Sequence, residues 1–152
     1  MIRQSRRVIR ETTLSPEMLE ELAIQTAITF GNAQLGGEMY VGLYQVSPRS
    51  HLSDLAFAGT VQELGRGFAR IQGCSLYAPH GILMADDVSP VEVEVSCNER
   101  GVSVREDGCE YSGFLYSNME KFCVGLRELG YNLPSFFGES VRKALVDLKK
   151  AD

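Results

Sequence analysis

The sequence predicts an α+β fold: an antiparallel sheet centred on a hairpin at residues 91–105, covered mainly on one face by helices near 16–30, 112–129 and 135–150. Three observations carry it. In VEVEVSCNERGVSVR, Val91, Val93, Val95 and Cys97 alternate with Glu92, Glu94 and Ser96, and after Asn98-Glu99-Arg100-Gly101 the alternation resumes with Val102 and Val104. Successive strand side chains point to opposite faces, so this is a β-hairpin with one buried and one wet face. A lone hairpin is marginal in water, so other elements must cover the valines. Amphipathic segments before and after it supply candidate helices.

Taken in order, the first ten residues hold Arg3, Arg6, Arg7 and Arg10 and no acid, a basic arm on a chain whose net charge is −5. Arg7 to Thr13 reads as a short strand, since Val8, Ile9 and two threonines suit β geometry. Ser15-Pro16 starts a helix, because serine caps free amides and proline in the first turn loses no hydrogen bond. Leu19, Leu22, Ala23, Thr26, Ala27 and Phe30 form its buried stripe; Ile24 and Ile28 widen it, so the helix is expected to be covered on more than one side. Gly31-Asn32 ends it.

Glu38 to Val46 alternates Met39, Val41 and Leu43 against Tyr40 and Tyr44 with neither face clearly polar, which fits a strand covered on both sides. Gly42 leaves room there for an aromatic ring or a ligand. From Ser50 or Ser53 to Leu64 a helix is expected, with Gly59 weakening it. Phe68 to Ala78 reads as a strand with a bulge at Gly73, followed by the Pro79-His80-Gly81 turn and a short apolar piece at Ile82 to Met84. After the hairpin and the Asp107-Gly108 turn, a helix starts at Ser112 or, in a shorter version, at the capping box Ser117-Asn118-Met119-Glu120. Ser135 to Lys150 is the last helix. Nothing divides residues 1–152 into more than one domain.

Composition narrows the function classes. At 44% hydrophobic and 23% charged, the 152 residues are neither disordered nor fibrous. No apolar run reaches the roughly 18 residues a bilayer span requires, so a soluble cytoplasmic protein with no membrane association is expected. Outside the arm the chain carries 11 basic and 20 acidic residues, which disfavours nucleic acid as a partner. Cys74, Cys97, Cys109 and Cys123 lack C-x-x-C spacing, so they read as reduced packing residues and no metal site is expected. Glu92 and Glu94 share the wet strand face and read as solvated rather than as an acid–base pair.

Walker, dinucleotide-binding, zincin and serine-elbow motifs are missing. Tyr40 and Tyr44, whose rings combine apolar area with a hydroxyl, and the turn residue His80 are therefore the ligand-binding candidates. The expected function is non-catalytic: a binding or regulatory domain that recognises a small molecule in an apolar pocket or a protein partner, and forms a homo-oligomer. The cofactor is left open. An alternative is a small enzyme using Cys97 or Cys109 with His80 as base, and behind it a nucleic-acid-associated protein using the N-terminal arginines. Cys109 followed by Gly113-Phe114-Leu115 at a helix start, after β-strands, resembles the late part of 4-vinyl-reductase-like small-molecule-binding domains over a short stretch. The chain then departs from that pattern, ending in a helix instead of a strand with further cysteines, and no residue role is carried over.

Overall fold

The computed structural model describes residues 15–46, 54–77, 84–85, 91–106, 109–128 and 131–151. In chain order the elements are α1 (Pro16–Gly31), β1 (Glu38–Val46), β2 (Asp54–Gly65), β3 (Phe68–Tyr77), β4 (Met84–Ala85), β5 (Val91–Asn98), β6 (Gly101–Glu106), β7 (Cys109–Tyr116), α2 (Met119–Glu128) and α3 (Phe137–Ala151). The content is α+β. The expected hairpin is present as β5–β6, with Val95 opposite Val104 and Asn98 opposite Gly101. The basic arm, the Arg7–Thr13 segment and His80 lie outside the described residues.

The expected open sheet is instead a closed barrel. Neighbouring strands run β2-β1-β7-β6-β5-β3, and β2 also pairs with β3, so six antiparallel strands form a ring with β4 added beside β3. Val93, Val95, Val102 and Val104 therefore face not helices but Met39, Val41, Leu43, Phe57, Val61, Ile71 and Leu115 across the interior, all buried. Eight strands leave a barrel interior just wide enough for side chains to fill, and six leave less. The helices cover other surfaces. α2 and α3 pack on the outer side of β1, β2, β3 and β7, over Tyr40, Ala56, Ala58, Cys74, Leu76, Phe114 and Tyr116. α1 closes one end: Phe30 packs on the barrel interior and Leu19 and Leu22 on the helix-covered core.

Two expected helices need correction. Residues 54–65 are a strand, because Phe57 and Val61 enter the barrel while Ala56 and Ala58 are buried beneath the helices. A strand buried on both faces shows no polar alternation, and its apolar residues then fit helical spacing equally well. Residues 109–116 are likewise a strand, so the version starting at Ser112 fails and the shorter helix stands. Its cap is not Ser117, as the capping box implied, but Asn118, whose Oδ1 accepts from the Lys121 amide at 2.8 Å. α1 begins as expected, with the Ser15 hydroxyl accepting from the Met18 amide.

Register shifts occur in β1 between Leu43 and Gln45, and in β2 at 54/56 and 61/63. Gly73 is not a bulge; it pairs directly with Gly59. A Cβ on Gly73 would collide with the Ala58 carbonyl oxygen, and one on Gly59 would lie 2.5 Å from that of Gln72. Paired glycines permit a sharp bend, a crease, at this point, of the kind that closing a sheet into one ring requires.

Outside the barrel the wet faces line up a charge ladder. Glu63 lies opposite Arg70, Arg70 opposite Glu94, Glu94 opposite Arg105, and Arg105 opposite Glu110, alternating in sign across five strands. Glu63 and Arg70 form an ion pair, and Arg105 and Glu110 lie 3.7 Å apart. Opposite charges directly across strands are worth roughly 0.2–1 kcal/mol each, and like charges cost as much. Glu94→Lys places three cations in a row and is expected to destabilise by about 1 kcal/mol, less at high salt. Glu92→Lys, opposite Gln72, is the control. Equal urea midpoints for the two variants would show that the ladder contributes nothing.

Candidate functional site

The capped end of the barrel is where the chain leaves an open groove, and local hydrogen bonding explains how it is held. β6 pairs with β7 no further than Val102 opposite Gly113, so the Leu115 amide has no strand partner on that side. The buried Thr26 hydroxyl of α1 accepts it at 3.0 Å. An unpaired buried amide costs about 1–3 kcal/mol, so this bond fixes α1 against β7. The turn after α1 is tied to β2 by Gly36 N–H to the Val61 carbonyl (2.8 Å) and Val61 N–H to the Gly37 carbonyl (2.9 Å).

Between the C-terminal half of α1, this turn and the β7–α2 junction lies a half-open groove of about 400 Å³. Gln25, Ile28, Asn32, Glu38, Tyr116 and Lys121 are among its lining residues. Beside it the outer face of α1 is apolar and uncovered: Ile24, Ile28 and, in the following turn, Leu35 are 55%, 53% and 66% exposed. Further toward the N-terminus that face is acidic, carrying exposed Glu17, Glu20 and Glu21.

The candidate residues fall as follows. Tyr40 is buried on the helix-covered side of β1, its ring 5.4 Å from that of Phe122 and its hydroxyl donating to the Glu38 carboxylate at the groove. Burial, then the Glu38 carboxylate, hold this phenol far above its ordinary value, with Arg142 opposing. Tyr44 is the extra residue where the β1–β7 register shifts, about 13 Å further along the strand at ~3.3 Å per residue. Its side chain, like His80, is outside the described residues, and Tyr40 does not itself line the groove but touches its wall only through Glu38.

Tyr116, which the sequence did not single out, fills the space that Gly42 leaves. Its ring is wedged between Gly42 and Gly125; a Cβ on Gly42 would lie 3.1 Å from the ring edge, and one on Gly125 would enter the ring. The buried hydroxyl has no hydrogen-bond partner among the described residues. Burial, helped by the Glu128 charge, raises its pKa well above the ordinary 10. Stability from the neutral phenol is thus complete below pH 10 and is lost as pH rises toward the folded-state value. In that window the unfolded chain has released a proton that the folded one keeps, a slope of about −1.4 kcal/mol per pH unit. Tyr116→Phe is expected to remove that part of the alkaline slope and to gain up to about 1 kcal/mol at pH 7. Unchanged alkaline unfolding would contradict the assignment.

Two of the thiols, Cys97 and Cys123, are poorly placed for nucleophilic chemistry. Cys97 faces the barrel interior and Cys123 lies beside the helix-covered core; burial raises the pKa of both thiols, with Arg127 opposing at Cys123. Raised thiol pKa values disfavour the thiolate a nucleophile requires. The Cys109 side chain lies outside the described residues. Among the described residues no three His, Cys, Asp or Glu side chains are grouped to hold a metal ion, and no helix is long and apolar enough to cross a membrane. Comparison with protein-family models, curated proteins and solved structures found no match.

Proposed function

We propose that this protein is a non-catalytic binding domain that acts by docking a polypeptide against the outer face of α1 and the groove beside it. The observation that carries this reading is the contrast between interior and exterior. Barrel and helix-covered cores are occupied by the chain's own side chains, while Ile24, Ile28 and Leu35 stay more than half exposed next to a groove with polar walls. Apolar centres rimmed by polar groups are the usual anatomy of protein contacts. A small molecule enclosed in the barrel fits less well, because six strands leave the interior to side chains. Tyr40 enters the reading through Glu38, which its hydroxyl orients at the groove wall. A cytoplasmic location belongs to the same proposal: Cys97 and Cys123 are free thiols, the state a reducing compartment maintains.

The test is site-specific photo-crosslinking in cells, using full-length protein with benzoylphenylalanine in place of Ile28 or, as control, of Glu94 on the hairpin's wet face. Adducts of discrete mass at position 28, suppressed by Ile24→Asp and missing at position 94, are expected. Equal labelling at both positions, or none at 28, would refute docking on α1.

A further inference from the structure

Resting on that reading, we infer that the polypeptide docked on α1 is a second copy of this chain, packed by an antiparallel α1–α1 contact. The charge pattern of the face selects this occupant. Ile24 and Ile28 are one helical turn apart and form its apolar centre, with exposed Ala27 beside them. N-terminal to them are Glu17, Glu20 and Glu21; C-terminal are no acids until Glu38, and Lys121 lines the groove beside Asn32. Among the described residues none of Glu17, Glu20, Glu21 and Lys121 is in an ion pair.

A two-fold contact pivoting between Ile24 and Ile28 is self-complementary in the antiparallel sense alone. Glu21 and Glu17 lie five and nine residues from the pivot, about 8 and 14 Å at ~1.5 Å per residue. Antiparallel packing sets them opposite residues 31–35 of the second copy, where its Lys121 borders the groove. Parallel packing would set Glu17, Glu20 and Glu21 against their own counterparts, a repulsion that no ion pair among the described residues offsets. An isologous contact repeats each such pairing twice, so the acidic start of α1 meets Lys121 of its copy, while Glu38 in the same groove is held by the Tyr40 hydroxyl. It also accounts for a helix with two apolar sides of which the described residues cover one.

Sedimentation velocity on purified full-length protein, over a hundredfold range of concentration, tests this. A reversible dimer is expected. Ile28→Asp should weaken it at least a hundredfold with an unchanged circular dichroism spectrum, as expected for a half-exposed residue. Glu21→Lys and Lys121→Glu should each weaken it about tenfold, since every change acts at two places, and the two together should restore it. A wild-type monomer throughout the range, or a dimer indifferent to these variants or not restored by the charge exchange, would overturn the inference. If the chain is monomeric but position 28 still forms adducts of other masses in cells, self-association fails while docking on α1 survives. If position 28 forms none, both fail.

Discussion

Gly73→Ala is expected to lower the unfolding free energy by about 3 kcal/mol, at the upper end of what overpacking costs. Alanine normally stabilises relative to glycine by about 0.4–1 kcal/mol, because the unfolded chain has less freedom to lose. Here that gain is overwhelmed, since the added methyl meets backbone: the Ala58 carbonyl oxygen and the Gly59 Cα. Backbone within a paired strand cannot rotate aside as a side chain can. Moving it opens the β2–β3 crease, and with it the register that carries β1 on one side and β5 on the other. Gly65→Ala, where the nearest contact is the Phe68 ring at 3.5 Å, is the control and should be neutral or slightly stabilising. Urea unfolding followed by circular dichroism reads both. A loss below about 1 kcal/mol at Gly73 would mean the crease is not what closes the barrel.

That crease marks where sequence reading reaches its limit. The β5–β6 hairpin was legible because Val93 and Val95 alternate with exposed Glu92 and Glu94, a period that only a half-wet strand produces. β2 was not, because Ala56 and Ala58 are buried on one face and Phe57 and Val61 on the other, so polarity gives no period at all. Gly59, which counted against a helix there, was the available signal; paired with a second glycine in the next strand it belongs to a sharp β turn of the sheet rather than to a flawed helix. Closure itself was hidden for the same reason. A valine face demands a cover, but local pattern does not say whether helices or the sheet's own far strands provide it.

The candidate site was legible in pieces. Gly42 between Tyr40 and Tyr44 pointed correctly to a bulky ring, but the ring belongs to Tyr116, some seventy residues away, and only the β1–β7 pairing of Tyr40 with Tyr116 brings it there. The doubled apolar stripe of α1 was visible in Ile24 and Ile28, and it implied a second cover that the described residues do not supply. Lys121 carried no signal by itself. Its position depends on Asn118 capping α2 immediately after β7 ends, so its role emerges once strand and helix are placed.

Phe122→Ala is expected to cost about 3–5 kcal/mol, the range for truncating a fully buried aromatic. Phe122 has no exposed surface, and its ring is 5.4, 6.0 and 6.2 Å from those of Tyr40, Tyr116 and Phe137. These neighbours come from β1, β7 and α3, so one α2 side chain ties two helices to the barrel. The void cannot collapse easily, because Tyr116 is already wedged between Gly42 and Gly125 and Tyr40 is held by Glu38. Val124→Ala on the same helix, at a half-exposed position, should change stability by no more than about 0.5 kcal/mol. The shape of the transition carries as much information as its midpoint. Tyr40, Ala58 and Leu76 belong to barrel strands yet share this cluster with Phe122, Phe137 and Val141, so helices and barrel should still unfold together in the variant. Helical ellipticity lost in a separate, earlier step would show instead that the barrel stands without α2 and α3, and that the filled strand ring alone supports the fold.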